Sequence, residues 1–421
     1  MARNRIIYNV QDVFMGSTPS EQNPYITGVP GHEILKRVNR LQSFNYGISF
    51  QQQDAITLGK STPTARQKGR ATVDIELNYI TDGISNENRI GFYTENQSTS
   101  ESKNLFYDFA DVGRKKDQRN LYVCTTNDGG GDIRDQSLEV PNVSGTLLIH
   151  DYIHNQSKDF NVMSFQNCYT TSHSIAAEVG SVATTSVGLQ SNNVVIYTSG
   201  SGVHIPDLNL KSGVVVSNNK KIIIPRHFAE ANTNVTNQPK AFTQGDITVD
   251  ILESNPPAGD ESIKFQNQVI QTYSANTTLP RESLDYVGNK LPSDKPLVFP
   301  VVTECSISLL NSGLSKGNLA DNLDTNSDYN LVVKFKNGSD VILRHVLSGA
   351  KLTDSAGGQA IGGQTTSNLR FSCPNDFENN AKGLFVSGSM VTFSHQIIDS
   401  SGNFVVNNSN QKISQEFFPP F

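Results

Sequence analysis

Three clusters of residues have types and spacings that could do chemistry. Leu58-Gly59-Lys60-Ser61-Thr62 contains the Gly-Lys-Ser end of a phosphate-binding loop. Such a loop needs an earlier glycine, so that backbone amides can wrap the phosphates. Asp54 stands at that position, and its carboxylate would repel phosphate. A turn after a strand is the better reading. His150 and His154, with Asp151 between them, have a spacing that suits a metal only on a helix. Leu147, Leu148, Ile149, Tyr152 and Ile153 around them look like a strand, which favours a structural role. Asn127-Asp128-Gly129-Gly130-Gly131-Asp132, with Asp135, could offer oxygens to calcium but lacks the spacing and closing Glu of an EF-hand loop. It reads as a surface loop.

The four cysteines (Cys124, Cys168, Cys305, Cys373) form no Cys-x-x-Cys pair. Neither a zinc knuckle nor a thioredoxin-like motif is present, and the residues read as small core groups made in a reducing cytoplasm. No Gly-x-Ser-x-Gly elbow or dinucleotide glycine fingerprint occurs. No residue is therefore assigned to catalysis, to a cofactor or to a metal. The chain is expected to be no enzyme and to need no cofactor.

What the chain must build is an extended polar-faced structure. Of 421 residues, 36% are apolar and only 18% charged, and by subtraction roughly a third are Ser, Thr, Asn and Gln. That mixture favours turns and sheets facing water over salt-bridged helices. The net charge of −6 excludes a nucleic-acid-gripping surface on the scale of the whole protein. Arg114-Lys115-Lys116 and Lys220-Lys221 are local exceptions that read as solvated turns or subunit contacts. The opening residues lack the apolar core of a signal peptide. No apolar run approaches the roughly 18 residues of a membrane span.

Period-2 alternation dominates, so the fold is expected to be mainly β and antiparallel, with long loops and few short helices. Phe44, Tyr46, Ile48 and Phe50 alternate with polar residues, as do Val73, Ile75, Leu77 and Tyr79, and Val391, Phe393, His395 and Ile397. Leu331–Lys336 and Val341–Leu343 flank an Asn337-Gly338 turn, and Val214–Val216 and Ile222–Ile224 flank Asn218-Asn219 in the same way. Helical spacing predicts helices over His32–Leu41, where pairing could convert the end to a strand, and over Pro280–Val287. Residues 95–104 are polar and have nothing to bury. The reading divides the chain into an N-terminal arm (1–30), β domains over 31–205 and 206–375, and a C-terminal hairpin and arm (376–421). The two β domains derive from a faint duplication. Gln42–Pro63 lies over Gln271–Pro292 at a constant offset of 229, with Phe44/Tyr273, Phe50/Leu279 and Leu58/Val287 keeping the apolar pattern. Gly180–Leu189 and Gly363–Phe371 also correspond. Apolar groups in the arms (Ile6, Ile7, Tyr8, Val10, Val13, Phe14, Phe417, Phe418 and Phe421) are expected to be buried at subunit contacts.

The order of segments resembles tail tube (major tail) proteins of tailed bacteriophages. The stretches concerned are Arg3–Tyr8, Gly16–Pro19, Arg37–Ile48, Ala71–Ile80, Thr81-Asp82-Gly83, Asn86–Phe92 and Phe165–Val187. Pro280–Leu284 through Gly288 and Phe299–Thr303 are similar to the same pattern repeated. The chain departs from it at Gln51-Gln52-Gln53, where the second copy keeps Pro280-Arg281-Glu282. Residues 206–260 and 376–421 match no part of it.

The resemblance implies duplicated β-barrel or sandwich domains that associate edge to edge into rings, commonly hexameric, and stack into a hollow tube. It implies a protein made in the bacterial host cytoplasm and located in the virion tail. Its partners would be copies of itself and other tail proteins: a terminator, a baseplate or tip, and a sheath where the tail has one. Viral DNA would pass without specific binding along a neutral-to-negative inner wall, and no membrane is involved. The alternatives are another tail, neck or baseplate component, a receptor-binding β protein, or a tail-associated hydrolase.

Overall fold

The computed structural model describes residues 11–16, 32–34, 36–55, 58, 61, 65–81, 83–96, 102–110, 118–126, 160–191, 193–198, 204–206, 216–223, 242–243, 245–254, 263–284, 294–310, 327–338, 340–358, 366–389, 395–396 and 414–415. The first half supplies β1 (Gln11–Met15), β2 (His32–Ile34), β3 (Lys36–Arg37), β4 (Leu41–Ala55), β5 (Ala65–Ile80), α1 (Ser85–Ile90) and β6 (Glu95–Asn96). It continues with α2 (Tyr107–Ala110), β7 (Gln118–Thr126), β8 (Phe160–Glu178), β9 (Thr184–Ser191) and β10 (Asn193–Thr198). Two short strands follow, β11 (His204–Pro206) and β12 (Val216–Ile223). The second half supplies β13 (Ile247–Glu253), β14 (Ile263–Thr278), β15 (Val302–Leu310), β16 (Tyr329–Asn337), β17 (Asp340–Gly358), β18 (Thr366–Pro374) and β19 (Gly383–Gly388). Last come β20 (His395–Gln396) and β21 (Ser414–Gln415). The fold is mainly β and, apart from β2–β12 and β6–β19, its strands pair antiparallel.

In the second half, β13-β14-β15-β18-β17-β16 closes on itself, because β13 pairs with both β14 and β16. In the first half the path β4-β5-β9-β8-β7-β1 returns to β3, which runs through a tight turn into β4. The two paths have the same order. They also share registers: Thr170 faces Leu189 as Leu352 faces Phe371, a shift of 182 on both strands. Leu121 faces Phe165 as Leu331 faces Leu347. Even the irregularities coincide. The register slips between Thr170 and Ser172 on β8 and between Leu352 and Asp354 on β17. It slips again between Arg119 and Leu121 on β7 and between Tyr329 and Leu331 on β16. Asn167 and Gly349, one such shift apart, both have positive φ, as a bulge that re-aims a strand requires.

Alternation explains what lies inside. Val73, Ile75, Leu77, Val187, Leu189, Leu121, Val123 and Phe165 fill the first barrel; Val249, Ile251, Tyr273, Ile307, Leu331, Phe335, Leu369 and Phe371 fill the second. Phe44 and its counterpart Tyr273 each pack a ring against an aromatic of their own barrel, Phe44 against Phe165 on β8 at 5.5 Å and Tyr273 against Phe335 on β16 at 5.6 Å. The connection from β5 to β7 adds α1, Phe92, Phe106 and Phe109 to the first core. Gly91, at φ 113, ends α1 in the left-handed conformation that glycine adopts without strain.

Several sequence expectations need correcting. His32–Leu41 is not a helix: β2 pairs parallel with β12, and β3 pairs with β1. Pro280–Leu284 is extended, bridging Arg281 to Leu297 and Leu284 to Asp294. Asn218-Asn219 is no turn, because β12 runs straight through it, and Lys220 and Lys221 lie in that strand. Glu95 and Asn104 are anchored: the Glu95 carboxylate accepts from the Ser102 amide at 2.8 Å, and buried Asn104 donates to the Asp376 carbonyl at 2.6 Å. β1, from the segment read as an arm, and β19, from the segment read as a C-terminal hairpin, are paired with barrel strands. Leu331–Lys336 and Val341–Leu343 do form a hairpin, with Gly338 at φ 67.

Candidate assembly wall and edges

Gly59, Lys60, Arg114-Lys115-Lys116, Asn127–Asp135, His150 and His154 lie outside the described residues. Among the described residues no group of His, Cys, Asp and Glu could hold a metal, and no helix is long and apolar enough to cross a membrane. Cys168, Cys305 and Cys373 are buried thiols. Burial pushes Cys168 and Cys373 up to about 12 and Cys305 higher still, so they stay protonated. His173 sits edge-on to Phe92 at 4.9 Å, and its ring nitrogens have no hydrogen-bond partner among the described residues. Burial pulls it down to about 4. His345 meets the Tyr273 hydroxyl at 2.9 Å and is pulled down to about 3 by burial, with His173 adding to the effect.

What the fold does build is a wall. Strands β4-β5-β9-β8-β14-β15-β18-β17 are hydrogen-bonded in an unbroken row that crosses from the first barrel into the second. Residues opposite one another in an antiparallel pair share a face. One face therefore carries Gly47, Asp74 and Gln190 in one stagger, Asn45, Glu76, Gly188, Ser172 and Thr278 in the next, and Ser43, Asn78, Ser186, Ser174, Asn276, Glu304, Ser372 and Lys351 in the one after. Among the described residues its side chains are mainly Ser, Thr, Asn and Gln, with five carboxylates (Asp74, Glu76, Glu178, Glu304, Asp354) against two cations (Lys351, Arg370), all partly or wholly exposed. Polar neighbours hold the carboxylates: Gln190 donates to Asp74 at 3.0 Å and Ser186 to Glu76 at 3.2 Å. The opposite face is the barrel cores.

The joint between halves is the β8–β14 ladder, which pairs Ser172 with Thr278 through to Glu178 with Thr272. A clasp reinforces it. Arg281 donates to the Thr170 carbonyl at 3.0 Å, and Asp294 accepts from Gln118 at 3.0 Å and from the Tyr169 hydroxyl at 3.2 Å. Lys295 donates to Gln190 at 2.7 Å, and burial lowers its ammonium to about 8 against the opposing pull of Asp74. From the other direction, β6 pairs with β19, and the Leu105 amide donates to the Leu384 carbonyl at 2.7 Å.

The ends of the row differ from its middle. Among the described residues β4 pairs only with β5, and residues 351–358 of β17 pair only with β18. Tyr46 and Ile48 are each 44% exposed and Phe50 64%, and Leu58 beyond them is fully exposed. Of the residues expected at subunit contacts, Val13 and Phe14 are 2% exposed within their own chain, where β1 pairs with β7. Ile6, Ile7, Tyr8, Val10, Phe417, Phe418 and Phe421 lie outside the described residues. The wall itself escapes sequence reasoning because alternation marks two faces without saying which strands share one.

No family model and no curated protein matches the chain. Among solved structures, the anti-feeding prophage baseplate is 14% identical with a TM-score of 0.26, covering 37% of this chain and 99% of that one. The tube-terminating cap of the same prophage is 11% identical with a TM-score of 0.24, covering 38% and 100%. Likeness at this level fixes neither fold nor role.

Proposed function

We propose that the chain is a structural subunit of a phage-type tail, and within it the tube subunit whose stacked rings form the conduit for DNA. The observation that carries this reading is the polar, net acidic wall spanning eight strands and two barrels of equivalent order. Each phosphate gripped by Lys or Arg adds affinity, with a salt slope of about −0.9 per contact. A wall where carboxylates outnumber cations therefore lets a duplex slide. The matched registers support a duplicated unit, and a ring of such units covers sheet edges that a lone chain leaves open. Tail-tube-like segments in the sequence agree with this. The protein acts structurally, in the virion tail, alongside terminator and tip proteins, after synthesis in the host cytoplasm. The arm groups Ile6, Ile7, Tyr8, Val10, Phe417, Phe418 and Phe421 are proposed as ties between subunits.

Negative-stain electron microscopy of the purified protein tests the reading. Hollow tubes several nanometres wide are expected, alone or after seeding by a tail tip. Discrete trimers or monomers with no tubes would point instead to a receptor-binding protein or another tail component.

A further inference from the structure

We infer that copies of this chain join through a second β8–β14-like ladder, in which β4 of one copy pairs with the 354–358 segment of β17 in the next. The inference deepens the tube reading and rests on it for the identity of the partner, a second copy. Its register follows from the internal joint. β4 corresponds to β14 at a shift of 229, since Phe44 faces Leu77 on β5 as Tyr273 faces Ile307 on β15. The later part of β17 corresponds to β8 at a shift of 182. Carrying Thr278↔Ser172 through Ser274↔Ala176 across these shifts gives Ser49↔Asp354, Ile48↔Ser355, Gly47↔Ala356, Tyr46↔Gly357 and Asn45↔Gly358, antiparallel.

Three features of the two edges fit this occupant. Edge strands of soluble proteins usually carry Lys, Pro or an inward charge that deters pairing. Ser43–Ser49 has none of these. Its partner segment, Asp354-Ser-Ala-Gly-Gly358, has small side chains that let another backbone approach. The two segments also sit at opposite ends of the same row, so head-to-tail pairing continues the wall without a break. On the core-side face, the equivalents of Tyr46 and Ile48 are Ala275 and Thr277, buried in the middle of the row.

Cysteine cross-linking of assembled protein tests this. A Ser49→Cys and Asp354→Cys pair on the exposed wall face should oxidise to a ladder of covalent multimers. Asn45→Cys with Asp354→Cys, out of register, should stay monomeric on a denaturing gel. Should a pair prevent folding, hydrogen exchange on the unmodified protein reads the same point: amides of 43–49 and 354–358 gain protection on assembly. Tubes that form without the in-register cross-link, or without that protection, overturn the register and leave the tube reading standing. Cross-linked closed rings that never stack support the register and count against the tube. A protein that stays monomeric overturns both.

Discussion

β4 and β14 hold equivalent places in the two barrels yet have opposite surroundings. Both present an apolar stripe to their barrel and pair with the strand that follows. On β14 and just past its end, Tyr273, Ala275, Thr277 and Leu279 are essentially sealed, because β8 of the other half lies alongside and Arg281 ties back to the Thr170 carbonyl. On β4, Tyr46, Ile48 and Phe50 remain substantially exposed. The difference lies in the neighbour rather than in the pattern. An apolar stripe on an edge strand is stable in water only until something with the matching edge arrives.

The largest test of that contrast substitutes equivalent residues. Leu279→Ala should cost about 2–5 kcal/mol in chemical denaturation, as expected for a fully buried leucine. Phe50→Ala, at the equivalent but exposed position, should cost the isolated chain less than about 1 kcal/mol and show its effect in assembly instead. Similar losses for both in the monomer would mean that β4 is already covered.

The next effect distinguishes the barrels by proton uptake. His173 in the first and His345 in the second are held neutral, with folded pKa values of about 4 and about 3. The unfolded chain binds a proton near pH 6.5, so each contribution is complete above that pH and falls away as pH drops toward the folded value. Each loss is of the order of a few kcal/mol. Thermal melts should therefore show stability declining below pH 6.5, and His173→Leu should flatten part of that slope. A slope unchanged by the substitution would show that His173 is not the group taking up the proton.

A smaller effect concerns the wall. Asp74→Lys with Glu304→Lys converts two corresponding sites, one per barrel, from repelling to gripping phosphate. Fluorescence anisotropy should then show duplex binding by tubes, with a salt slope nearer about −2 than zero, where unmodified tubes show none near physiological salt. Strong binding by the unmodified tubes would contradict the wall's assignment. The smallest effect lies at the shared bulge: Gly349→Ala, at φ 73, should cost about 1 kcal/mol. Asn167→Gly at the equivalent place should be tolerated to within about 0.5 kcal/mol.

Much of the strand content was legible because alternation is a local signal. Val73, Ile75, Leu77 and Tyr79 announce β5, and Asn337-Gly338 announces the β16–β17 hairpin. The offset of 229 between Gln42–Pro63 and Gln271–Pro292 is also the one at which the registers of β4 and β14 superpose. His32–Leu41 misled because Ile34, Leu35, Val38 and Leu41 satisfy a helical period as well as the pairing that tertiary structure imposes. The correspondence of β1 with β13 was invisible: Met15 faces Leu121 as Ile251 faces Leu331, but neighbouring Phe14 stands where the second barrel has Asp250. The wall was illegible for a different reason. Its five carboxylates come from four strands spread over some three hundred residues, and only long-range pairing puts them on one face.

Cryo-electron microscopy of the assembled protein, at a resolution that separates strands, tests the central claim most directly. The account predicts a continuous inner sheet in which Ser43–Ser49 of each copy lies beside 354–358 of the next, with Asp74, Glu76, Glu178 and Glu304 facing the lumen. An assembly in which those edges face solvent, or in which the acidic face lies outside, would contradict it.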